Sequence, residues 1–312
     1  VSDDMEFTLT YLPGGLEDLE YFLTKNHSRF FSGDRAIKRF KRFIKSLNSP
    51  KHPYNKLTKN KFYDISSKYI DSLIQVRWKG CWACDLIEAS WWKKNFEYRL
   101  MKYRVLKLIN RTSIKGFYFP PYNRDVYLSI NPDNFYELTK NYIRELLGAM
   151  CGPQYSEYNI VLDQPFSADN PEKSFVFFEN PVAIIVDRDP RDLFILAKEV
   201  VPLQASFIPT DNVYNFVKYY KIIRENRKKI IDPEKALYLN FEDMIYEYKT
   251  TKEKIIDFLG LKFHNKPLEY FNPEVSKYNT QLFNKYTKYK KEIEYIEKEL
   301  EEWLYPFYKY PP

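Results

Sequence analysis

The sequence predicts an α/β protein in which helices flank a parallel sheet, preceded by a largely helical N-terminal region. Three observations predict it. Val182 to Val186 is an unbroken apolar, β-branched run, the pattern of a buried parallel strand. The run stops at Asp187-Arg-Asp-Pro-Arg-Asp192, and a helix-compatible segment, Leu193 to Val201, follows. Strands and helices then alternate through the second half of the chain, which implies parallel pairing through right-handed crossovers.

From the N-terminus, Met5 to Leu12 reads as a short strand closed by Pro13-Gly14-Gly15, and Leu16 to Thr24 as a helix. Arg35 to Leu47 places Ile37, Phe40, Phe43, Ile44 and Leu47 at helical spacing. Its other face carries Lys38, Arg39, Lys41, Arg42 and Lys45, which reads as an ordinary solvated face, with an anionic partner as the alternative. Asn48 to Asn60 is expected to be a loop, since it holds Pro50 and Pro53. Two or three helices should fill Lys61 to Asn110, with Trp82, Trp91 and Trp92 as packing residues.

The pattern changes from Ser113 onward. Lys115 to Phe119 and Val126 to Ile130 read as short strands separated by Pro120-Pro121, and Asp133 to Ala149 as a helix. Further strands are expected at Asn159 to Leu162, Val182 to Val186 and Ala236 to Leu239. Helices are expected at Pro190 to Val201, Asn212 to Lys229, Phe241 to Leu259 and Tyr286 to Trp303. The organisation is therefore a helical region over residues 1–112, on the acceptor side or as a lid, leaning on an α/β core over residues 113–312 as one integrated domain.

Composition narrows the function classes. The chain has 312 residues and a net charge of +7, from 49 basic against 42 acidic side chains. That modest, mixed excess permits an anionic ligand or a glycan without arguing for nucleic acid. No run of about 18 apolar residues suggests a transmembrane helix. The start, Val1-Ser-Asp-Asp-Met5, carries no signal-peptide pattern. Three cysteines make no disulfide framework, so a reducing, cytoplasmic setting is expected.

Cys81-Trp-Ala-Cys84 has the spacing of a redox pair or half a zinc site. Zinc needs two more ligands, and Cys151, His27, His52 and His264 offer no paired spacing. A thioredoxin-like site needs a preceding strand, whereas Asp71 to Val76 reads as helix or loop. Two buried cysteines in an aromatic cluster are expected instead, and His264, near Pro267, reads as structural.

Arg188 draws the functional reading. It sits where a strand hands over to a helix, with Pro190 suited to the first helical turn. In open α/β sheets, ligands bind at that carboxyl edge, and a helix N-terminus favours anions. An arginine there offers a planar fork that matches phosphate. The alternative is a strand-end ion-pair cluster of Arg188, Asp189, Arg191 and Asp192.

Three segments in order widen this reading: Ile160-Val-Leu-Asp-Gln-Pro165, Val182 to Asp192, and Leu237-Tyr-Leu-Asn-Phe-Glu-Asp-Met244 followed by Ile255-Ile-Asp-Phe-Leu-Gly-Leu261. Together they resemble the sulfotransferases that use 3′-phosphoadenosine-5′-phosphosulfate (PAPS), over about residues 158 to 305. The resemblance implies a P-loop-like α/β fold and in-line transfer of a sulfuryl group from PAPS to a hydroxyl or amine, with no metal. It assigns Arg188 to the 3′-phosphate, with Arg191 beside it as a further cofactor contact. The serine that the family places eight residues after that arginine is Leu196 here, with Lys198 as the nearby substitute. Lys277, in Ser276-Lys-Tyr-Asn-Thr280, is the candidate for another phosphate contact. By the register of the first segment, Asp163 is the catalytic base; the alternative is that it caps the next element.

One part of the family pattern is not found. The phosphosulfate loop is a Gly/Ser/Thr-rich turn with a Lys or Arg, and Leu12-Pro-Gly-Gly-Leu-Glu-Asp18 has neither a basic nor a hydroxyl side chain. By analogy with bacterial relatives, the loop is expected upstream of Val1. The acceptor is expected to be a glycan, from the basic and aromatic N-terminal region. A catalytically inactive relative that binds nucleotide or glycan is the alternative function. Phosphoryl transfer is disfavoured, because no Gly-x-x-x-x-Gly-Lys-Ser/Thr occurs.

Overall fold

The structure, a computed structural model, describes residues 5–26, 29–82, 84–85, 90–92, 96, 99–108, 124–152, 154, 159–227, 232–262 and 271–310. It is mixed α/β, and its contacts divide the chain into two units. The first is Val1–Pro165 with Val176–Glu179; the second is Phe166–Phe175 with Asn180–Pro312. The division thus falls near residue 165, not 112. The cause is visible in the first unit, where residues on both sides of 112 share a core and a sheet.

In that unit α1 (Leu16–Glu20) continues through a π-helical turn, Tyr21–Lys25. The strand expected over Met5 to Leu12 shrinks to a single bridge between Glu6 and Asp163. The carbonyls of Leu9 and Thr10 are engaged elsewhere, accepting from the amides of Leu16 and Glu17 at the start of α1 (3.1 and 2.9 Å). A Cβ at Gly15 would stand 2.5 Å from the Leu9 oxygen, so this fold-back admits only glycine there.

Next, α2 (Phe31–Leu47) buries Ile37, Phe40, Ile44 and Leu47, the stripe its periodicity predicts. The expected loop over residues 48–60 contains α3 (Pro53–Leu57), with Pro53 in its first turn and the His52 ring accepting from Tyr54 N. It is followed by α4 (Phe62–Leu73), β1 (Val76–Lys79), α5 (Arg99–Leu108), β2 (Asp125–Leu128) and α6 (Phe135–Cys151). The strands pair antiparallel, Val76 opposite Leu128 and Lys79 opposite Asp125. α4 and α6 meet through buried polar pairs, Ser66 to Tyr142 and Tyr69 to Thr139, both 2.8 Å. The rings of Tyr69 and Tyr142 stack between them at 4.3 Å.

Several expectations change here. β1 falls where only helices or loop were expected, and Asn159 to Leu162 forms no strand. Trp91 and Trp92 lie at the surface, 64% and 65% exposed, so they are not core residues. Cys81 and Cys84 are free, half-buried thiols and not a buried pair. The strand expected at Lys115 to Phe119, and His264 with Pro267, lie outside the described residues.

The second unit holds α7 (Glu172–Phe175), β3 (Ala183–Asp187), α8 (Pro190–Ile195), α9 (Val213–Asn226) and β4 (Ala236–Asn240). They are followed by α10 (Asp243–Tyr246), α11 (Tyr248–Phe258), α12 (Pro273–Ser276), α13 (Leu282–Lys285) and α14 (Lys290–Glu299). β3 and β4 pair in parallel, Ala183 opposite Ala236 and Asp187 opposite Asn240. Ala183 and Ile185 are buried while Ile184 and Val186 are exposed, so β3 is covered on one face only. The single helix expected over Phe241 to Leu259 breaks at Glu247, whose backbone leaves the helical region (φ −121°, ψ 37°). Phe194, Ile195, Phe216, Tyr220, Ile296 and Leu300 lead the core of this unit, gathered from α8, α9 and α14 with its C-cap.

Candidate anion site at the strand ends

Because β3 and β4 run in parallel, both deliver their next residue to the same edge. The Phe241 amide donates to the Asp187 carbonyl at 2.7 Å, extending the ladder by one bond. Arg188 and Phe241 thereby meet, with the guanidinium carbon 4.8 Å from the ring centroid. Asp189 leaves the strand with φ −52° and caps α8, accepting from Arg191 N at 2.8 Å, and Pro190 fills the first helical turn. Pro190 thus takes the first-turn place expected of it, while the strand before it is Ala183–Asp187 and the α-helix ends at Ile195.

A second segment converges on the same edge. Arg188 Nη2 donates to the carbonyl oxygen of Asn279. Asp192, fully buried, accepts from the amides of Gln281 (2.7 Å) and Leu282 (2.6 Å), which fastens the start of α13 to α8. Lys277 opens the 3-10 turn that ends at Asn279, and it is exposed. Arg188 and the turn that Lys277 opens are therefore brought together at the Asn279 carbonyl.

Arg191 behaves differently. Its guanidinium donates to both Asp189 oxygens (3.0 and 2.8 Å), to Glu297 (2.9 Å) and to the Tyr305 carbonyl (3.1 Å). Phe283 also covers it, with the guanidinium carbon 4.3 Å from the ring. Its hydrogen-bonding capacity is spent inside the protein. Lys198 donates to the Thr210 carbonyl and lies 5.4 Å from the Phe194 ring.

Asp163 belongs to the first unit, and the other four candidate residues belong to the second. It is exposed, and its carbonyl accepts from Phe7 N at 2.6 Å. The Gly14 amide in the Gly-Gly turn is taken by the Asp18 carboxylate at 2.7 Å, and Arg39 pairs with the same oxygen at 3.0 Å.

Sequence reasoning missed a buried carboxylate whose charge acts on Arg188. Glu242 is fully buried, and its Oε1 accepts the Asp189 amide at 3.0 Å while Oε2 is unpaired. Burial, with Asp189 and Asp192 as neighbouring charges, raises Glu242 to about 7. Burial, then Asp189, raises Asp192 to about 6, although Arg188 pulls it down. Burial in turn lowers Arg188 from its ordinary value, opposed by the charges of Asp192, Glu242 and Asp189. The Arg188 Nε is buried without a partner. One strand residue earlier, Asp187 is gripped by Arg224 (2.5 Å) and by Arg227 (2.6 and 2.9 Å). The one available signal for that grip was the i, i+3 arginine pair near the end of α9.

The arrangement can recognise an oxyanion with a planar, partly buried guanidinium held by an aromatic face and a backbone carbonyl. Among the described residues, no cluster of His, Cys, Asp or Glu could hold a metal ion, and no helix is long and apolar enough to cross a membrane. Comparison with protein-family models, curated proteins and solved structures finds no match to this chain.

Proposed function

We propose that this chain is a PAPS-dependent sulfotransferase on a P-loop-like sheet. Arg188 binds the 3′-phosphate of the nucleotide, and the sulfuryl group passes to a hydroxyl of an acceptor, a glycan on the evidence of composition. The observation that carries the reading is Arg188 at the joint carboxyl edge of two parallel strands, stacked on Phe241 and tied to the Lys277 turn. Lys277 supports it as an exposed cation two residues from the Asn279 carbonyl. Arg191 then serves by shaping α8, since it is engaged by Asp189, Glu297 and Tyr305, and Lys198, with one bond to the Thr210 carbonyl, keeps donors for an anion.

In the reaction the acceptor oxygen attacks sulfur, the sulfur–oxygen bond to the 5′-phosphate breaks, and adenosine 3′,5′-bisphosphate leaves. The acceptor proton goes to a carboxylate, for which Asp163 is the candidate. A cytoplasmic setting accords with three free thiols.

A second reading, a protein that binds the nucleotide and transfers nothing, is favoured by the Gly-Gly turn, whose Gly14 amide is given to Asp18. Transfer from sulfur-labelled PAPS to a panel of hydroxylated glycans separates the two. Transfer in the wild type, lost in Asp163→Asn, supports the first. Nucleotide binding without transfer to any acceptor supports the second, and near-wild-type transfer by Asp163→Asn ends the role of Asp163 as base.

A further inference from the structure

The first unit contains a cavity of about 190 Å³ between α2, α4 and β1. One face of α4 lines it: Tyr63, Ser67, Ile70 and Asp71 recur at i, i+4, i+7 and i+8, the spacing of neighbours on a helix. Lys41 and Ile44 from α2 and Arg77 from β1 complete the wall. We propose that this cavity is a binding site for a single acidic sugar, a pyranose ring carrying a carboxylate.

Size comes first. A cavity of about 150 Å³ accommodates a benzene ring, so this one accepts a six-membered ring and is too small for an oligosaccharide. The lining suits a ring with hydroxyls. Ile44 and Ile70 give an apolar floor, and Tyr63, half exposed, gives an aromatic face of the kind that packs on sugar C–H groups. Ser67 and Asp71 offer acceptors for sugar hydroxyls, and Ser67 also donates.

Charge selects the acid. Arg77 is already paired with Asp71. Lys41, in contrast, donates to the neutral Tyr127 hydroxyl at 3.0 Å and lies 4.4 Å from that ring. Among the described residues no carboxylate forms an ion pair with it, and the acid its charge acts on, Asp125, lies outside the wall and is paired with Lys79. The wall therefore carries one cation more than its acids neutralise, at the position where a sugar carboxylate can reach it. Every residue of the cavity lies in the first unit, so this site stands or falls independently of nucleotide recognition by Arg188.

Saturation-transfer NMR and calorimetric titration of the full chain with glucuronate, glucose and inorganic sulfate test the proposal. Glucuronate is expected to bind with its ring protons in contact, and glucose about tenfold more weakly. Lys41→Met should weaken glucuronate by about tenfold, and Ser67→Gln should abolish binding by filling the cavity while the melting temperature is retained. Three results overturn it: no wild-type signal at about 20 mM glucuronate, well above a millimolar dissociation constant; binding unchanged in both variants; or full displacement of glucuronate by equimolar sulfate.

Discussion

Two contacts from different parts of the chain, the Phe241 ring and the Asn279 carbonyl, hold the Arg188 side chain, and the charges of Asp192, Glu242 and Asp189 oppose the effect of burial on it. Its place at a strand-to-helix joint was legible, because a β-branched run ending at Asp-Pro encodes that joint locally. The inward duty of Arg191, three residues on, was legible only in its pair with Asp189, which the ion-pair alternative named. Its partners Glu297 and Tyr305 lie more than a hundred residues away, and no local pattern announces them. Arg191→Ala should therefore act on stability, by about 3 kcal/mol from the stranded Asp189 charge, in chemical denaturation. Arg188→Ala should cost less stability than Arg191→Ala, because no ion pair is broken, and act chiefly on ligand binding. Glu242 predicts a pH effect of definite sign. Its folded value of about 7 exceeds the ordinary 4.5, and Asp192 at about 6 exceeds 3.8, so the folded state keeps protons that the unfolded chain releases. Their contribution is full below about pH 4 and is lost as pH rises to about 7. Glu242→Gln keeps the acceptor for the Asp189 amide and removes the titration, so it should stabilise the protein at about pH 8 by up to about 3 kcal/mol and by less than about 1 kcal/mol at about pH 5. Urea melts at the two pH values measure the difference; equal effects at both would contradict it.

At the scale of elements, legibility followed amphipathic length. α2 has seventeen residues and a clean apolar stripe, and the sequence placed its buried face correctly. β1 has four residues, Val-Arg-Trp-Lys; apolar and charged side chains alternate, but over so short a run, with all four exposed, the signal is weak. Its pairing with β2 spans more than forty residues of chain, and the ladder alone makes it a strand. β3 shows the opposite error. An uninterrupted apolar run reads as covered on both faces, yet Ile184 and Val186 are exposed and only Ala183 and Ile185 pack inward. Asp192 is the element-scale device of the candidate site, since one carboxylate caps α13 from α8. Asp192→Ala should cost about 2 to 3 kcal/mol, by orphaning two buried amides, and should also weaken nucleotide binding by releasing the turn that carries Lys277 and Asn279. Hydrogen exchange at residues 277–283 reads the release directly; unchanged protection there would contradict the prediction.

For the whole molecule, the sequence foresaw a mixed α/β chain; of the larger parallel sheet it expected, the described residues form one pair, β3 and β4, and the contacts divide the chain near residue 165. The reason is the antiparallel β1–β2 ladder and the α4–α6 tyrosine stack, which bind residues on both sides of 112 into one unit. Such long-range pairing leaves no compositional mark. The net charge of +7, with Lys277 exposed beside the site, predicts a nucleotide affinity that falls as salt rises. Titration across an ionic-strength series checks it, and a flat response would mean that long-range charge plays no part. The account rests on Arg188 as a 3′-phosphate ligand, and the most direct measurement is the shift in melting temperature produced by adenosine 3′,5′-bisphosphate. A ligand that binds only the folded state stabilises it by about 2.7 kcal/mol at a hundred times its dissociation constant. The account predicts a concentration-dependent rise for the wild type, with none for Arg188→Ala and a smaller rise with the 5′-monophosphate. A wild-type chain with no shift at millimolar nucleotide, or an Arg188→Ala variant that shifts as much as the wild type, would contradict it.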